Sequence, residues 1–384
     1  MRIFLKLFYR ILWLLFLIFP IQKNKVVFQS FSGRGFSDNP KYIAQKLHKK
    51  APEIIIYWAA NNPLTADLPD GIRFVKYKSV KYLYHMTTAK IWVDNIRKPF
   101  FIKKKGQYYL QTWHGGLGLK KVENDAIDKL NKNYIKWAKR DAKSTDLMLS
   151  SSKTLSEIFR NSLWYHKGEI LEKGLPRNDL FFNFCERQKH KIKNRLGIKP
   201  NSKILLYAPT FRDDGDITAY DINFNHLASA LKKRFGGSWV ILVRLHPNIS
   251  GTKLNISASF IKNVSSYNDI QELYIISDFL ITDYSSSIFD FALTERPSLL
   301  YASDIVKYTS LRDFYFDFSE LPFTLCQTNA ELEKAVLNFD CKKHKKRLKE
   351  FKLAHGYCES GKASDYAAEW IINKCFNKER GKTL

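Results

Sequence analysis

The chain has 384 residues, of which 45% are hydrophobic and 15% aromatic, so it can form sizeable packed cores and wholesale disorder is excluded. A length of this order is typical of two domains or one large one. Lysine and arginine number 63 against 37 acidic residues, and the net charge of +26 favours a polyanionic partner, namely nucleic acid, anionic lipid or a phosphate polymer, without choosing among them.

The first twenty-two residues predict an amphipathic helix. Arg2, Lys6 and Arg10 recur every four residues and would form one cationic stripe, while apolar residues cover the remaining surface. The uncharged stretch 11–22 is shorter than the roughly 20 residues of a membrane-spanning helix, and no small-residue cleavage site follows it. We therefore expect residues 1–22 to lie on an anionic membrane surface, with a buried core helix and a signal anchor as alternatives.

From residue 26 onward, short β-rich runs alternate with helical stretches, a pattern typical of parallel sheets covered on both faces. The predicted strands are 26–31, 54–58, 91–94, 108–112, 147–150, 203–208, 239–245, 279–282 and 298–301. The predicted helices are 40–49, 127–143, 224–235, 270–277 and 287–293, followed by a helical and basic stretch over 341–377.

The alternating pattern restarts near Lys203, after the polar and basic stretch 186–201. We therefore expect two doubly wound domains, 23–185 and 186–384, that face a cleft. Ligands in such sheets bind beyond the carboxyl ends of the strands.

Five cysteines are scattered along the chain without a C-x-x-C pair. Their odd number and wide spacing argue against a disulfide framework and against a structural zinc site, and they favour a reducing, cytoplasmic setting.

A histidine follows the predicted strand 108–112 in the run QTWHGG of residues 111–116. His114 lies at a strand end beside two glycines, so it can face a cleft, and its side chain titrates near neutral pH as a general base requires. A purely structural histidine is the alternative. Lys120 and Lys121 follow and could contact phosphate or form a solvated turn.

Two further clusters follow strands in the second half of the chain. Arg212 comes after strand 203–208 and could hold phosphate oxygens through its planar guanidinium. The nearby DGD at 214–216 lacks a neighbouring histidine or glutamate, so we do not interpret it as a metal site. Arg244 and His246 end strand 239–245 and would point to the same side of the extended chain, an arrangement suited to a diphosphate.

A serine-rich turn joins strand 279–282 to a predicted helix. Asp283 is followed by Ser285 and Ser286 at the helix start, where unsatisfied backbone N–H groups and the helix dipole favour an anion. Simple capping of the helix by these serines is the alternative.

Taken together, these clusters resemble the motifs of the CDP-glycerol glycerophosphotransferase family, which includes teichoic acid primases and polymerases. The matching stretches keep the family's order and span roughly residues 28–370. They are SDNPKY at 37–42, LQTWHG at 110–115, GLPRND at 174–179, YAPTFRDD at 207–214, RLHP at 244–247, ITDYSS at 281–286, FYFD at 314–317 and GKAS at 361–364.

The resemblance implies a GT-B arrangement of two Rossmann-like domains, without a metal or other cofactor, that associates with the cytoplasmic face of the membrane as a peripheral protein. It implies that His114 is the general base and that His246 and Arg212 hold the donor diphosphate. Ser285 and Ser286 would add donors at the helix start, with Asp283 and Arg244 in support. The family usually continues W-H-G-T-P-L-K, whereas this chain has WHGGLGLK over 113–120, which bears on the identity of the acceptor.

The expected reaction is attack by an acceptor hydroxyl on the β-phosphorus of CDP-glycerol, releasing CMP; the acceptor would be a polyol-phosphate or polysaccharide, in free or lipid-linked form. CDP-ribitol as donor, or a GT-B sugar transferase that uses a nucleotide sugar, are the alternatives. A non-enzymatic basic protein that binds membrane or nucleic acid is a third reading, and we expect no nucleic-acid partner because the zinc-finger, aromatic RNA-binding and basic-heptad signatures are missing.

Overall fold

The computed structural model of the protein describes residues 2–62, 68–98, 102–212, 220–245 and 258–376, with side chains from residue 7 onward. These residues form two compact units, each built on a parallel sheet. The first unit comprises 1–114, 122–179 and 358–384, and the second comprises 115–121 and 180–357. The prediction of an α/β fold with two doubly wound sheets is confirmed.

The sheet of the first unit has seven strands among the described residues, in the order β3-β2-β1-β4-β5-β6-β7 and all parallel. Its strands are β1 Gln22–Gln29, β2 Ile55–Ala60, β3 Ile72–Lys76, β4 Ala89–Asp94, β5 Tyr108–Gln111, β6 Leu147–Ser150 and β7 Glu169–Glu172. The central strands are buried over consecutive residues because helices cover both faces of the sheet.

With side-chain caps at three of their starts, the helices of the first unit alternate with its strands. They are α1 Arg2–Phe16, α2 Asp38–Lys50, α3 Val80–Thr88, α4 Lys132–Ser144 and α5 Lys153–Asn161, with 3-10 turns at Glu123–Lys129 and Pro176–Asn178. Ser79 and Ser152, for example, accept hydrogen bonds from the backbone N–H groups of Tyr82 and Leu155 and so fix the starts of α3 and α5.

The sheet of the second unit has six described strands in the order β10-β9-β8-β11-β12-β13, again parallel. Its strands are β8 Lys203–Tyr207, β9 Trp239–Val243, β10 Ile261–Asn263, β11 Phe279–Thr282, β12 Ser298–Tyr301 and β13 Thr324–Cys326. Its helices are α7 Glu186–Arg195, α8 Phe224–Phe235, α9 Ile270–Ile276, α10 Ser287–Ala292, α11 Ile305–Leu311, α12 Asn329–Leu337 and α13 Cys341–Ala354, with the short α6 Asp179–Asn183 before them.

All nine predicted strands are present, with shifts of a few residues at their ends. The sequence missed β3, β7, β10 and β13, which are short and lie at or next to the sheet edges, where polar residues weaken the apolar pattern. The predicted helix 127–143 is a 3-10 turn followed by α4, and the helical stretch 341–377 is divided into α13 and α14 Ala363–Phe376.

The units differ from the predicted ranges 23–185 and 186–384 in three places, the first being residues 180–185, which belong to the second unit. Helix α14 belongs to the first unit, because its residues Ala367, Trp370 and Ile371 pack in that unit's core and its Asp365 pairs with Lys46 at 2.9 Å. Residues 115–121 belong to the second unit, although both flanking segments belong to the first.

Helix α1 packs with one face on the first unit. Trp13 is 1% exposed and meets Trp92 edge to face at 5.9 Å, and the Tyr9 hydroxyl donates to the Lys78 carbonyl at 2.7 Å. The outer face exposes apolar side chains, namely Leu7, Phe8, Ile11, Leu14 and Leu15, each close to half exposed or more. Among the described helices, none has both the length and the hydropathy that crossing a bilayer requires.

Candidate active site

The loop that carries His114 is fixed to the carboxyl end of β4. The Thr112 N–H donates to the Asp94 carbonyl at 2.8 Å, and the Trp113 N–H donates to the Gln111 side-chain oxygen at 2.9 Å. Trp113 has a φ of 56°, a left-handed conformation that a bulky residue rarely adopts. The chain therefore turns sharply after β5, which leaves the His114 side chain exposed to solvent.

The ring of His114 is oriented by a backbone carbonyl. Its Nδ1 lies 3.0 Å from the Asn95 carbonyl oxygen, which can only accept a hydrogen bond, so in the neutral ring Nδ1 carries the proton. The lone pair is then on Nε2, as a general base requires. Although His114 reaches solvent, the rings of Phe31 and Trp113 pack against its imidazole, and the hydration lost there lowers the pKa of His114 below its ordinary value of 6.5. The Asn95 carbonyl and Asp38 partly offset this effect, and Arg177 adds to the lowering. The imidazole is therefore mostly neutral at pH 7.

Several residues around His114 adopt a strained backbone conformation. Besides Trp113, the non-glycine residues Phe31, Ser32 and Asp38 have φ values of 43°, 57° and 60°. Phe31 meets the His114 ring edge to face at 6.2 Å, and the Trp113 ring lies 4.5 Å from it. Strain of this kind persists where the surrounding structure fixes it, and it is concentrated at functional sites.

The segment after His114 is anchored in the second unit. Lys120 donates from Nζ to the Tyr308 hydroxyl at 2.9 Å and lies over the Tyr308 ring, while the Tyr315 N–H donates to the Leu119 carbonyl at 2.8 Å. Lys121 adds a backbone hydrogen bond to the Asp313 carbonyl. Lys120 thus has a tyrosine partner in this structure, and a phosphate contact by either lysine stays a prediction.

In the second unit, Asp283 connects the ends of β8 and β11. Its carboxylate accepts from the Thr210 N–H at 2.8 Å, from the Thr210 hydroxyl and from the Tyr284 N–H. It also pairs with Arg212, whose Nη1 lies 2.8 Å from Asp283 Oδ2. Asp283 is 1% exposed, so its contacts hold the loop after β8 in place at the carboxyl end of the sheet.

Arg212 is held by two carboxylates and three aromatic rings. Its Nε and Nη2 donate to both oxygens of Asp304, and Nη1 donates to the Thr210 carbonyl as well as to Asp283. Its guanidinium also lies over three tyrosine rings at 4.9–5.5 Å, those of Tyr220, Tyr284 and Tyr308. Burial would lower the pKa of Arg212, but the hydrogen bonds to Asp304 and Asp283 raise it above its ordinary value.

These contacts use four of the five N–H groups of Arg212, which leaves one Nη2 hydrogen without a partner among the described residues. Arg212 can therefore offer a phosphate a single hydrogen bond rather than a fork. Its part in donor binding stays a prediction, and its contacts favour a role in shaping the site.

Arg244 lies at the end of β9, beside β8, and its N–H donates to the Tyr207 carbonyl at 2.8 Å. Its Nη1 is buried without a hydrogen-bond partner in the described part of the chain, and burial lowers its pKa. A buried guanidinium nitrogen of this kind suits an anionic ligand. His246 and residues 214–216 lie outside the described residues.

Ser285 and Ser286 are half-buried in the turn between β11 and α10. Ser287 donates from its hydroxyl to the Ser285 hydroxyl at 2.8 Å, and Ser286 precedes α10 at the cap position without a side-chain capping bond. Helix α10 has only six residues, so its dipole is small, and the serine hydroxyls are the stronger donors here.

The structure thus collects the predicted residues in two groups. His114 stands at the carboxyl end of β5 in the first unit, and the second group lies at the carboxyl ends of β8, β9 and β11 in the second unit, where it comprises Arg212, Arg244, Asp283, Ser285 and Ser286. Sequence reasoning missed Asn95, because it contacts His114 through its backbone carbonyl oxygen, which no sequence motif marks. It also missed Asp304, which lies 92 residues from its partner Arg212.

Two relatives share most of this chain. The teichoic acid poly(glycerol phosphate) polymerase of Staphylococcus epidermidis is 35% identical over 91% of this chain and 51% of its own length. The enzyme of the same name from Bacillus spizizenii is 34% identical over 95% of this chain and 96% of its own length. The chain therefore spans about half of the first relative and nearly all of the second.

Relatives with a different polyol are less similar. A teichoic acid ribitol-phosphate primase of Bacillus spizizenii is 28% identical over 93% of both chains.

Solved structures of the wall teichoic acid polymerase TagF share the fold. One superposes with a TM-score of 0.84 at 32% identity, covering 96% of this chain and 94% of the other. A variant of that polymerase soaked with CDPG gives a TM-score of 0.82, also at 32% identity, over 93% of this chain and 90% of the other.

The family profile described as CDP-glycerol:poly(glycerophosphate) glycerophosphotransferase matches residues 7–373. With nearly the whole chain matched and the strand-end residues in the order that the motifs predict, the chain belongs to the CDP-glycerol:poly(glycerophosphate) glycerophosphotransferase family.

Proposed function

We propose that this protein transfers glycerol phosphate from CDP-glycerol to a hydroxyl group of an acceptor, with release of CMP. The observation that carries the proposal is the orientation of His114, whose solvent-exposed ring is held with Nδ1 protonated and Nε2 available. An acceptor hydroxyl needs a base of this kind in order to attack phosphorus.

In the proposed reaction, the acceptor oxygen forms a bond to the β-phosphorus, and the bond between that phosphorus and the oxygen bridging to CMP breaks. His114 Nε2 takes the hydroxyl proton, and CMP leaves with the bridging oxygen. Arg244 and His246 would stabilise the negative charge of the diphosphate, together with the hydroxyls of Ser285 and Ser286. Positioning and charge stabilisation account for most of the acceleration in phosphoryl transfer.

Arg212 and Asp283 would fix the shape of the donor site. Their buried ion pair ties the Thr210 loop to the turn that carries the two serines, so the serine hydroxyls are held in one arrangement. A preorganised site of this kind stabilises developing charge without reorganising.

Glycerol phosphate is favoured over ribitol phosphate by the comparisons. The relatives named for glycerol phosphate are 33–35% identical to this chain, against 28% for the ribitol-phosphate primase. A polymer of glycerol phosphate, lipid-linked at its start, is the acceptor that we propose.

We also propose that the protein works at the cytoplasmic face of the membrane as a peripheral protein. The exposed apolar face of α1 supports this location, and so does the net charge of +26, which would attract the protein to anionic lipid.

The test is to follow CMP release by the full-length protein on vesicles that carry a lipid-linked glycerol phosphate acceptor. CDP-glycerol, CDP-ribitol and a UDP-sugar are supplied in separate reactions. CMP release and polymer growth with CDP-glycerol alone are the expected result. Turnover with CDP-ribitol only, or sugar transfer without phosphate, would replace the proposal by one of the two other enzyme readings, and absence of turnover with all donors would support a binding protein.

A further inference from the structure

We propose that Asp38 and Arg177 act as one unit that positions His114 for proton transfer. The proposal rests on the proposed function, because it takes His114 as the base. Both residues lie in stretches that match the family motifs, and the sequence alone gives neither of them a role.

Asp38 acts on the side of the imidazole. The carbonyl that orients the ring belongs to Asn95, and the Asn95 side chain donates from Nδ2 to Asp38 Oδ2 while its Oδ1 accepts from the Phe31 N–H at 2.8 Å. Asn95 is fully buried. The Asp38 carboxylate therefore fixes the residue whose carbonyl sets the direction of the His114 ring.

Arg177 acts on the side of the backbone. Its Nη1 donates to Asp38 Oδ1 at 2.8 Å and to the His114 carbonyl oxygen at 2.9 Å. One guanidinium nitrogen thus joins the carboxylate to the main chain of the candidate base. Together, the two residues hold His114 from its ring and from its peptide group.

The supporting backbone is built for these contacts. Asp38 begins α2 in a left-handed conformation, with φ of 60°, which aspartate tolerates better than most residues. Arg177 lies in the 3-10 turn Pro176–Asn178, and its N–H donates to the Asn39 side-chain oxygen at 3.1 Å. Asn39 also donates from Nδ2 to the carbonyl of Trp113, which is the residue before His114.

Burial separates the pair from the chemistry. Asp38 is 8% exposed and Arg177 is 5% exposed, whereas His114 is exposed to solvent. The pair is therefore placed to act through His114 rather than on a substrate, which makes both residues positioning residues.

The two charges act on His114 in opposite directions. Asp38 favours the imidazolium and raises the pKa of His114, and Arg177 disfavours it and lowers the pKa; Glu123 also raises it and is itself paired with Arg97. An ion pair at this place fixes the geometry of the base while its two charges shift the pKa of His114 in opposite directions.

The experiment compares Asp38→Asn, Arg177→Gln and the double variant with the wild-type full-length chain. We expect kcat to fall by at least about ten-fold in each single variant, with the Kd for CDP-glycerol within about two-fold of wild type. The acid limb of kcat/KM should move to lower pH in Asp38→Asn and to higher pH in Arg177→Gln. In the double variant, kcat should fall no further than in the more impaired of the two single variants, because the pair acts as one unit.

Asp146→Asn is the matched control. This carboxylate of the same unit also accepts from one cationic side chain, Lys103, and from the Tyr109 N–H at the start of β5. Its loss should lower Tm without moving kcat or the acid limb. The proposal would be overturned if kcat were unchanged in Asp38→Asn or if the acid limb of kcat/KM stayed in place in both single variants. It would also be overturned if the kcat losses of the single variants multiplied in the double variant.

A second readout does not need turnover. Nitrogen NMR of labelled histidine should show the Nδ1-protonated tautomer of His114 in the wild type, a mixture of tautomers in Asp38→Asn, and opposite pKa changes in the two single variants. If the wild type releases no CMP, the proposed function fails, and these spectra still decide the positioning role. If Asp38→Asn does not fold, the spectrum of Arg177→Gln decides it in the same way.

Discussion

Arg212 and Asp304 form a two-point ion pair in which Nε and Nη2 of the arginine donate to both carboxylate oxygens, at 2.6 and 3.1 Å. Asp283 accepts from the third nitrogen of the same guanidinium, so two carboxylates share one buried cation. Removing the cation would leave Asp283 uncompensated at 1% exposure.

Arg212→Ala should therefore destabilise the fold as well as the site. Breaking a buried ion pair from one side costs on the order of 3–5 kcal/mol, and a clear drop in the urea midpoint is expected. Arg195→Ala removes an exposed ion-pair partner of Glu272 and should lower the free energy of unfolding by less than about 1 kcal/mol. An unchanged midpoint for Arg212→Ala, measured by circular dichroism, would contradict the structural role.

His114→Ala should abolish most turnover while the donor still binds. Loss of a general base lowers kcat by about 10²–10⁴-fold, and the alanine removes no contact of the donor site in the second unit. Calorimetric titration with CDP-glycerol checks the affinity, and CMP release checks the rate. A kcat near the wild-type value would remove His114 from the base role.

The pH dependence of the wild type follows from the same residue. Because the pKa of His114 is lowered from 6.5, the base form persists below that pH, and kcat/KM should fall only as the pH drops further. A rate that already declines between pH 8 and 7 would mean that another group limits the reaction.

Arg244→Met should weaken donor binding without weakening the fold. The buried Nη1 of Arg244 has no hydrogen-bond partner in the described part of the chain, so its removal relieves a desolvation cost in the free protein. In the complex, the same change removes a cation from the diphosphate. We expect an equal or higher Tm without ligand and a smaller shift of Tm when CDP-glycerol is added; the reverse pattern would assign Arg244 to the core.

The fold was readable from the sequence because buried parallel strands are nearly continuous apolar runs, as in β6 and β11. The site was readable only in part. His114, Arg212 and Arg244 were identifiable because each follows such a run. Asp38 and Arg177, 139 residues apart, meet only through the fold, and no local pattern marks a backbone carbonyl such as that of Asn95.

The position of α14 in the first unit shows a second limit of prediction from sequence. Its apolar residues predict a helix, but a helical pattern does not say which sheet the helix covers. Contacts such as the pair of Asp365 with Lys46 place it on the first unit, whereas α13, the helix before it in the chain, belongs to the second.

Charged substitutions on the outer face of α1 should reduce membrane binding. Ile11 and Leu14 are 48% and 55% exposed, so Ile11→Glu and Leu14→Glu should leave the fold intact while they weaken insertion between lipids. Leu311→Glu, at a 57% exposed leucine of α11, is the control. Sedimentation with vesicles rich in phosphatidylglycerol measures binding, and equal losses in all three variants would reject α1 as the contact.

Lys25 should make stability depend on pH in the alkaline range. The side chain is 2% exposed, its hydrogen bond goes to the neutral Thr88 hydroxyl, and burial lowers the pKa of Lys25 to about 8. Between that pH and about 10.4, the unfolded chain holds a proton that the folded chain has released, so the free energy of unfolding rises with pH in this window. Below it, both states are protonated and the folded state carries the full cost of the buried charge.

Lys25→Met removes that cost while keeping a similar length. The variant should gain on the order of 3 kcal/mol of stability over the wild type at pH 7, and the gain should shrink as the pH rises past 8 and vanish near 10.4. Urea unfolding of both proteins at pH 7 and at pH 9.5 tests this, because groups that titrate equally in both proteins cancel in the difference. A difference that stays constant between the two pH values would show that Lys25 keeps its proton in the folded state, stabilised by the rings of Tyr57 and Tyr84.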